Sequence, residues 1–263
     1  MRGNLNLSVI KLGGSILENA SQCQPVLKAI ATSWRKGKKW VIVHGGGRKV
    51  DTLLTRLNIG KKTHNGLRIT DRQTLEVVVS VLCGWVNKTL VADFSRLGVA
   101  AAGFSGADGH TLEAEFHPDL NGVKLGFVGQ VRAVHPTLIR STLDCGMLPI
   151  IAPVGSKLDG TLLNINADRV ASALAVTLKA QRLLFLTDVE GLLDGSGRVV
   201  HHLTAPQAEQ FLQSDFVNGG MRPKLDACLE ALGGGVSEVI IAGPNQHSAV
   251  FTKSRGGTVL VAA

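Results

Sequence analysis

Two glycine-rich turns lie near the start of the sequence, and the first of them, taken alone, also fits a plain strand-to-helix turn. Gly13 and Gly14 follow an apolar run that ends at Lys11 and Leu12, and a glycine triplet at 45–47 follows a second apolar run. Glycine N–H groups can approach an anion closely, and a helix that begins after such a turn adds the positive end of its dipole. Lys11 would bring an ammonium group to the same place. Because the carboxyl ends of parallel strands line one crevice, both turns are predicted to face one cleft.

Two further charged residues could bind or organise a ligand. Arg68 ends an Asn-Gly-Leu-Arg turn, and an arginine can hold a carboxylate with two parallel N–H bonds. Asp168 lies in an Asn-Ala-Asp triplet at the predicted start of a helix. Taken alone, these residues also fit a solvated turn arginine and a helix-capping aspartate. Their roles therefore depend on the motifs around them.

Several other kinds of site are disfavoured by the motifs that the sequence lacks. No GxxxxGK[ST] loop is present, and no GxGxxG follows a strand, which disfavours a P-loop ATPase and a Rossmann dehydrogenase. The glycine triplet at 233–235 follows a helix, so helix termination explains it. The four cysteines, at 23, 83, 145 and 228, match neither a zinc spacing nor a dense disulfide framework.

The elements that must position these residues alternate along the chain. Short apolar runs alternate with longer segments of helical periodicity, which predicts an α/β fold with a mostly parallel sheet covered on both faces. The predicted strands are 7–11, 40–44, 100–104, 148–152, 183–187, 238–242 and 258–261. The predicted helices are 23–36, 47–57, 71–97, 135–146, 166–179, 205–214 and 220–233.

Two regions interrupt this alternation. Residues 106–134 contain Asp-Gly, Asn-Gly and Leu-Gly steps, and residues 156–164 contain Asp159-Gly160, a strong hairpin signal. Both are predicted to be β-hairpins added at one end of the sheet. The sequence shows no internal repeat or long linker, so we expect one domain over residues 1–263.

Composition limits the partners that this protein could have. The net charge is +8 and the pI is about 9.6, but the cations are dispersed, aromatic residues make up 4% of the chain, and there is no tyrosine. A nucleic-acid partner is therefore disfavoured, whereas ATP or an acidic protein suits the charge. We find no signal peptide and no apolar run near the roughly 18 residues that span a bilayer, so we expect a cytoplasmic protein without a membrane partner.

Seven stretches of the sequence resemble one known family. They are VIKLGGS (9–15), VIVHGGGRKVD (41–51), NGLRITD (65–71), NKTLV (87–91), LNINAD (163–168), LTDVEGLL (186–193) and GGMRPKL (219–225). In this order they resemble the amino acid kinase family, and within it the branch that phosphorylates N-acetylglutamate. The resemblance implies an open, mainly parallel αβα three-layer sandwich. Residues 1–165 would bind the acyl amino acid and residues 166–263 would bind ATP.

The resemblance also implies a reaction. The γ-phosphoryl group of MgATP would pass to the side-chain carboxylate of N-acetyl-L-glutamate, giving an acyl phosphate for arginine biosynthesis. Phosphoryl transfer needs positioning and charge neutralisation more than covalent chemistry, and a carboxylate nucleophile needs no general base. Mg²⁺ is expected to arrive with ATP, so no protein ligand to a metal is predicted.

The family's functional residues map onto this sequence as follows. The resemblance assigns transition-state stabilisation to Lys11 and Lys224, organised by Asp168, and acyl amino acid binding to Arg68, Asn164, Gly46 and Gly47. It assigns phosphate binding to Gly13, Gly14 and Gly45. It places the nucleotide against Thr187, Asp188, Val189, Glu190, Gly191, Leu192 and Leu193, together with Phe216, Val217 and Asn218.

A related activity remains an alternative. A kinase of lysine or ornithine biosynthesis phosphorylates an aminoadipate or glutamate attached to an acidic carrier protein, and residues 70–91 resemble that branch equally well. The chain departs from the family at Arg222, where an aliphatic residue is common, and at 242–245.

Strand one begins near residue 7, leaving no room for the extra N-terminal helix of arginine-inhibited hexamers. We therefore expect an arginine-insensitive homodimer with helix 71–97 near its interface.

Overall fold

A computed structural model describes residues 7–214, 217, 220–246 and 256–262 of the protein. The strands are β1 (Leu7–Leu12), β2 (Lys39–His44), β3 (Thr63–His64), β4 (Leu67–Arg68), β5 (Ala101–Ser105), β6 (Leu112–Phe116), β7 (Val128–Val134), β8 (Leu148–Ala152), β9 (Val154–Ser156), β10 (Leu162–Ile165), β11 (Arg182–Leu186), β12 (His202–Thr204), β13 (Glu238–Ala242) and β14 (Thr258–Val261). The α-helices are α1 (Gly14–Glu18), α2 (Ala20–Arg35), α3 (Gly47–Arg56), α4 (Arg72–Val79), α5 (Asn87–Arg96), α6 (Thr137–Asp144), α7 (Ala167–Thr177), α8 (Ala205–Leu212) and α9 (Met221–Gly233).

Eight strands form the central sheet in the order β12-β14-β13-β11-β1-β2-β8-β5. Every neighbouring pair is parallel except β13 and β14, which are antiparallel. Successive side chains along each strand point alternately into two hydrophobic cores. Val9 and Val43 belong to one core, whereas Ile10 and Ile42 belong to the other. Helices cover both faces, because a parallel sheet is stable only when both faces are buried. The predicted α/β three-layer sandwich is confirmed.

The predicted strands and helices of the sandwich are nearly all present. Strands 148–152, 238–242 and 258–261 have the predicted bounds, and the other four predicted strands differ by one residue at one or both ends. The predicted helix at 23–36 begins earlier, at Ala20, where Asn19 accepts a hydrogen bond from the backbone N–H of Ser21. The short strand β12 at the sheet edge was not predicted.

The two predicted hairpins are present, and they form a closed unit of their own rather than adding strands to the central sheet. Strands β6 and β7 pair antiparallel, as do β9 and β10, and the four strands close on one another in the order β10-β7-β6-β9. Leu112, Leu163 and Ile165 from this unit are buried in the same core as Val9. Closure leaves fewer unpaired strand edges than two separate hairpins would.

A short hairpin, β3–β4, was not predicted as an element although its turn was visible in the sequence. Asn65 and Gly66 both have positive φ, at 46° and 78°, as a two-residue hairpin turn requires. The strands contain only two residues each. The hairpin places Arg68 at the end of β4.

The predicted helix 71–97 is one continuous helical stretch whose middle is π-helical. It consists of α4, a π-helix over Ser80–Val86, and α5. Within Arg72–Arg96 an 18-residue window with a mean hydropathy of 1.5 is long and apolar enough to cross a membrane, which was not predicted from the sequence. Of that window, 44% is buried inside the protein, and core helices of globular proteins pass the same test. Trp85 on this stretch is 71% exposed.

Candidate active site

The two glycine turns lie side by side at the carboxyl edge of the central sheet. Gly13 donates a hydrogen bond to the Leu186 carbonyl at the end of β11, and Gly45 donates one to the Leu12 carbonyl at the end of β1, each at 2.8 Å. The turns approach so closely that a Cβ on Gly14 would lie 3.1 Å from the Gly46 nitrogen. The structure thus brings together the two predicted anion-binding turns.

Gly46 occupies a position that only glycine fits. Its φ of 156° lies at the edge of the range that L-residues avoid, and a Cβ there would lie 2.8 Å from Leu82 Cδ2. Leu82 belongs to the π-helical segment, so this segment packs directly on the glycine triplet. Gly46 is also the N-cap of α3, which begins at Gly47. The triplet therefore turns the chain from β2 into a helix whose N–H groups point back toward the turn.

A buried carboxylate joins the two predicted catalytic lysines. Asp168 Oδ1 lies 2.8 Å from Lys11 Nζ, and Asp168 Oδ2 lies 3.0 Å from Lys224 Nζ. All three side chains are at most 12% exposed. Lys11 comes from β1, Asp168 from the first turn of α7 and Lys224 from the first turn of α9. Residues separated by more than 200 positions thus meet at one place.

The local sequence explains why Asp168 points inward. Asn166 is the N-cap of α7, and its Oδ1 accepts hydrogen bonds from the backbone N–H groups of Asp168 and Arg169. Asn166 therefore performs the capping role that the isolated sequence also allowed for Asp168. The Asp168 carboxylate is left to pair with the lysines.

The electrostatics of this cluster keep the carboxylate ionised. Burial alone raises the pKa of Asp168, but the charges and hydrogen bonds of Lys11 and Lys224 outweigh it and lower the pKa to about 2. Burial lowers the pKa of Lys11, and Asp168 partly restores it. The Lys224 ammonium also lies 5.3 Å from the centre of the Phe185 ring, a distance typical of cation–π contacts. With two cations and one anion, the cluster carries a net charge of +1.

Arg68 is held near the glycine triplet. Its Nη2 pairs with Asp51 Oδ1 and donates a hydrogen bond to the Gly47 carbonyl at 3.1 Å. Its Nη1 is buried and has no hydrogen-bond partner among the residues that the structure describes. The Arg68 side chain is 13% exposed. A solvated turn arginine is therefore ruled out, and a buried donor remains for a ligand.

Asn164 lies close to the same hairpin. Its Nδ2 donates to Thr70 Oγ1 at 3.3 Å, and Thr70 Oγ1 in turn donates to the Arg68 carbonyl at 2.8 Å. Strand β10 brings Asn164 to this place, where its backbone N–H donates to the Phe127 carbonyl. The structure thus places three of the predicted acyl amino acid ligands, Gly47, Arg68 and Asn164, around one region.

A buried polar network behind the glycine triplet was missed by the sequence reasoning. His44 and Asn87 are both fully buried. His44 Nδ1 lies 2.9 Å from the Gly45 carbonyl, and Asn87 Nδ2 lies 3.2 Å from His44 Nε2 and 3.0 Å from the Ile150 carbonyl. An amide NH₂ can only donate, so His44 Nε2 accepts and Nδ1 carries the proton. Burial lowers the pKa of His44 to about 4. The neutral ring thereby anchors the first peptide of the triplet.

The predicted nucleotide segment follows β11 on the other side of Lys11. The backbone N–H of Thr187 donates to the Ala242 carbonyl. Asp188 Oδ2 lies 3.7 Å from Nη2 of Arg48, at the start of α3. Leu192 is buried, and its backbone N–H donates to Thr258 Oγ1 at 2.7 Å. The other predicted residues of this segment, Val189, Glu190, Gly191 and Leu193, lie in the same loop.

The second predicted nucleotide segment is only partly visible. Phe216 and Asn218 lie outside the described residues, and Val217 is 3% exposed within the hydrophobic core. Among residues 7–214, 217, 220–246 and 256–262, no group of three or more His, Cys, Asp or Glu side chains could hold a metal ion.

Comparison with known proteins identifies the family. The model of the amino acid kinase family matches residues 6–243. The chain belongs to this family. An acetylglutamate kinase from Syntrophomonas wolfei is 40% identical over 260 residues, which cover 96% of the chain and 90% of that protein. Membership of a kinase family implies ATP as the phosphoryl donor, in agreement with the predicted nucleotide.

Solved structures agree with this family assignment. The crystal structure of smu.665 from Streptococcus mutans is 30% identical, with a TM-score of 0.85, and the match covers 98% of this chain and 99% of that one. An N-acetylglutamate synthase from Neisseria gonorrhoeae, complexed with coenzyme A and N-acetyl-glutamate, has a TM-score of 0.87 at 24% identity over 100% of this chain and 60% of that one. At that identity the second match supports the fold alone.

Proposed function

We propose that this amino acid kinase transfers the γ-phosphoryl group of ATP to the side-chain carboxylate of N-acetyl-L-glutamate, giving N-acetylglutamyl 5-phosphate. The observation that carries the proposal is the buried Lys11–Asp168–Lys224 cluster beside the two glycine turns. The acetylglutamate kinase from Syntrophomonas wolfei, which matches nearly the whole chain, supports the choice of substrate.

The chemistry requires charge neutralisation rather than proton transfer. An oxygen of the substrate carboxylate forms a bond to the γ-phosphorus, and the bond from that phosphorus to the bridging oxygen of ADP breaks, with the electron pair leaving on ADP. Lys11 would stabilise the transferred phosphoryl group, and Lys224 would stabilise that group and the leaving oxygen. Asp168, with a pKa of about 2, holds both lysines and stays ionised, so it does not act as a base.

The remaining predicted residues have separate binding roles in this proposal. The backbone N–H of Gly14 would donate to the phosphates, while Gly13 and Gly45, whose N–H groups bond to the Leu186 and Leu12 carbonyls, would let the phosphates approach the backbone closely. Arg68 and Asn164, with Gly46 and Gly47, would bind the acyl amino acid, and the orphaned Nη1 of Arg68 supports a carboxylate ligand there.

The nucleotide would lie along the second half of the chain. We assign it the loop from Thr187 to Leu193 with Phe216, Val217 and Asn218, so that residues 166–263 form the ATP-binding half and residues 1–165 the acyl amino acid half. Mg²⁺ would enter bound to the ATP phosphates as part of the substrate. This division agrees with Lys11 and Lys224 coming from opposite halves.

The proposal extends to the biological setting. The product would serve arginine biosynthesis in the cytoplasm, and the active form would be a homodimer. The exposed Trp85 on the long apolar helix supports an interface there, since large exposed aromatic residues are enriched at protein–protein contacts. Light scattering coupled to gel filtration tests this arrangement, and the Trp85→Ser variant is expected to shift the species toward a monomer.

A trap for the acyl phosphate tests the reaction directly. The protein is incubated with MgATP, hydroxylamine and either N-acetyl-L-glutamate, N-acetyl-L-aminoadipate or a carrier-linked substrate. We expect hydroxamate and ADP in equal amounts with N-acetyl-L-glutamate and much less with the other acceptors. Turnover with only the carrier-linked substrate would replace this proposal with the carrier-dependent activity, and ATP hydrolysis without hydroxamate would reject both.

A further inference from the structure

Asp51 connects two cations beside the glycine triplet. It lies in the second turn of α3, where its Oδ1 pairs with Arg68 Nη2 and its Oδ2 lies 2.9 Å from Lys61 Nζ. The Asp51 side chain is 28% exposed and the Arg68 side chain is 13% exposed, whereas Lys61 is half-exposed. The strongest pairing of Asp51 is therefore with the more buried cation, since burial reduces screening by water.

This pairing leaves one edge of the Arg68 guanidinium for a ligand. Nη2 is occupied by Asp51 and by the Gly47 carbonyl, while the buried Nη1 has no partner among the described residues. An arginine side chain has many rotamers, and these two contacts of Nη2 limit that freedom before a ligand arrives. A buried unsatisfied donor is costly, so an acceptor at Nη1 would stabilise the arrangement.

The charges of the cluster select the kind of acceptor. Arg68 and Lys61 contribute two positive charges and Asp51 one negative charge, which leaves a net charge of +1. One carboxylate makes the cluster neutral, whereas a neutral amide leaves the excess charge in a partly buried place. The cluster thus favours an acyl amino acid that carries a free α-carboxylate.

We infer that Asp51 is a positioning residue that orients Arg68 for the α-carboxylate of the acyl amino acid and thereby sets the selectivity for that group. The inference rests on the proposed function. A simple charge account makes the opposite prediction: removing Asp51 would raise the positive charge of the cluster and tighten the binding of any anion. The sign of the change in KM therefore distinguishes the two.

Two variants of Asp51 and one matched control provide the test. Asp51→Asn keeps an oxygen that can accept from Arg68, and Asp51→Ala removes it. The control, Asp93→Asn, removes an acid that pairs with Arg96 near the end of α5, so it changes the net charge equally at another ion pair. Each protein is assayed with N-acetyl-L-glutamate and with its α-carboxamide analogue, which keeps the reacting side-chain carboxylate.

Positioning predicts a graded loss for the natural substrate. We expect the KM for N-acetyl-L-glutamate to rise about tenfold in Asp51→Ala, the effect of losing one charge-assisted contact, and less in Asp51→Asn. The preference of kcat/KM for the carboxylate over the carboxamide should fall by about the same factor. The KM for ATP should match the wild type in both Asp51 variants, and all kinetic constants of Asp93→Asn should match it as well.

The outcomes separate the inference from the function on which it rests. A KM for N-acetyl-L-glutamate that is unchanged or lower in both Asp51 variants overturns the positioning role while the wild type remains active. An unchanged preference between carboxylate and carboxamide overturns the selectivity claim. A wild-type protein that phosphorylates neither acceptor refutes the proposed function, and the inference then fails with it. If Asp51→Ala does not fold, the isosteric Asp51→Asn shows whether the KM for N-acetyl-L-glutamate rises or falls.

Discussion

His44 should make the stability of this protein depend on pH in a range where few other groups titrate. The ring is fully buried, accepts from Asn87 and donates to the Gly45 carbonyl, and burial lowers its pKa from 6.5 to about 4. In the unfolded chain the ring is hydrated and takes up a proton below about pH 6.5. Between pH 6.5 and about 4 the unfolded state therefore binds more protons than the folded state.

The sign and size of the effect follow from this difference. Stability rises with pH wherever the unfolded state binds more protons, so the stability is complete above pH 6.5 and falls as the pH drops toward 4. Between pH 7.5 and 5.0, protonation of the ring stabilises the unfolded state by the equivalent of about 1.5 pKa units. It stabilises the folded state hardly at all, because the buried ring stays neutral over this interval. At 1.36 kcal/mol per unit, the free energy of unfolding should fall by about 2 kcal/mol.

The assay is guanidinium unfolding at pH 7.5 and at pH 5.0. His44→Gln keeps one acceptor for Asn87 and one donor for Gly45 but cannot titrate, so its stability should change about 2 kcal/mol less than that of the wild type over this interval. His202→Gln, which replaces an exposed histidine, should behave as the wild type does. In thermal scans the wild type should lose roughly 4 to 8 °C from this ring between the two pH values. Equal losses in wild type and His44→Gln would refute the buried neutral ring.

Three other changes test the site and its supports. Asp168→Asn leaves the Lys11 and Lys224 ammonium groups buried without their shared anion, so we expect a loss of about 3 to 5 kcal/mol in chemical unfolding and of nearly all turnover. Lys224→Ala should lower kcat by about 10²-fold or more in the coupled ADP assay, while the KM for N-acetyl-L-glutamate changes little; an unchanged kcat would remove Lys224 from the transition state. Gly103→Ala would place a methyl group against Asn87 Oδ1 and 2.7 Å from Val91 Cγ2, which should cost about 1 to 3 kcal/mol of unfolding free energy, whereas Gly60→Ala, with no atom within 4 Å, serves as its control.

The sandwich could be predicted from the sequence because the signals that mark its strands and helices lie within short stretches of the chain. Strand β8 is a continuous apolar run of five residues, and β13 has four apolar residues after Glu238; these residues are buried on both faces, so periodicity and length suffice to find the strands. The helices between them carry apolar stripes and ordinary end signals. Local patterns of this kind do not depend on distant partners, and their bounds were predicted to within a few residues.

The packing of the small four-stranded unit could not be predicted from local patterns. Its two hairpins were visible from their turn residues, but the hairpins carry no local signal of the surface against which they pack. Burial of Leu112, Leu163 and Ile165 in a shared core decides that the hairpins close on each other. Pairing between β7 and β10, which lie almost thirty residues apart, is a tertiary choice.

The candidate site divides in the same way. The glycine turns, Arg68 and the Asn-Ala-Asp triplet could be found because each is a short motif with a chemical meaning. Asp51 and His44 could not, although His44 precedes the triplet directly. An aspartate on an exposed helix and a histidine at the end of a strand have ordinary explanations, and only their burial and contacts with Arg68 and Asn87 reveal what they do.

The sequence by itself determined the α/β alternation, the two glycine turns and the residue types that the proposed phosphoryl transfer needs, since these depend on properties of neighbouring residues along the chain. Only the tertiary structure decided that Lys11 and Lys224 share the two oxygens of Asp168, and that Asp51 holds one edge of Arg68. Electrostatic pairing depends on distances of a few ångströms and on exclusion of water. Neither quantity exists until strands and helices from distant parts of the chain have packed together.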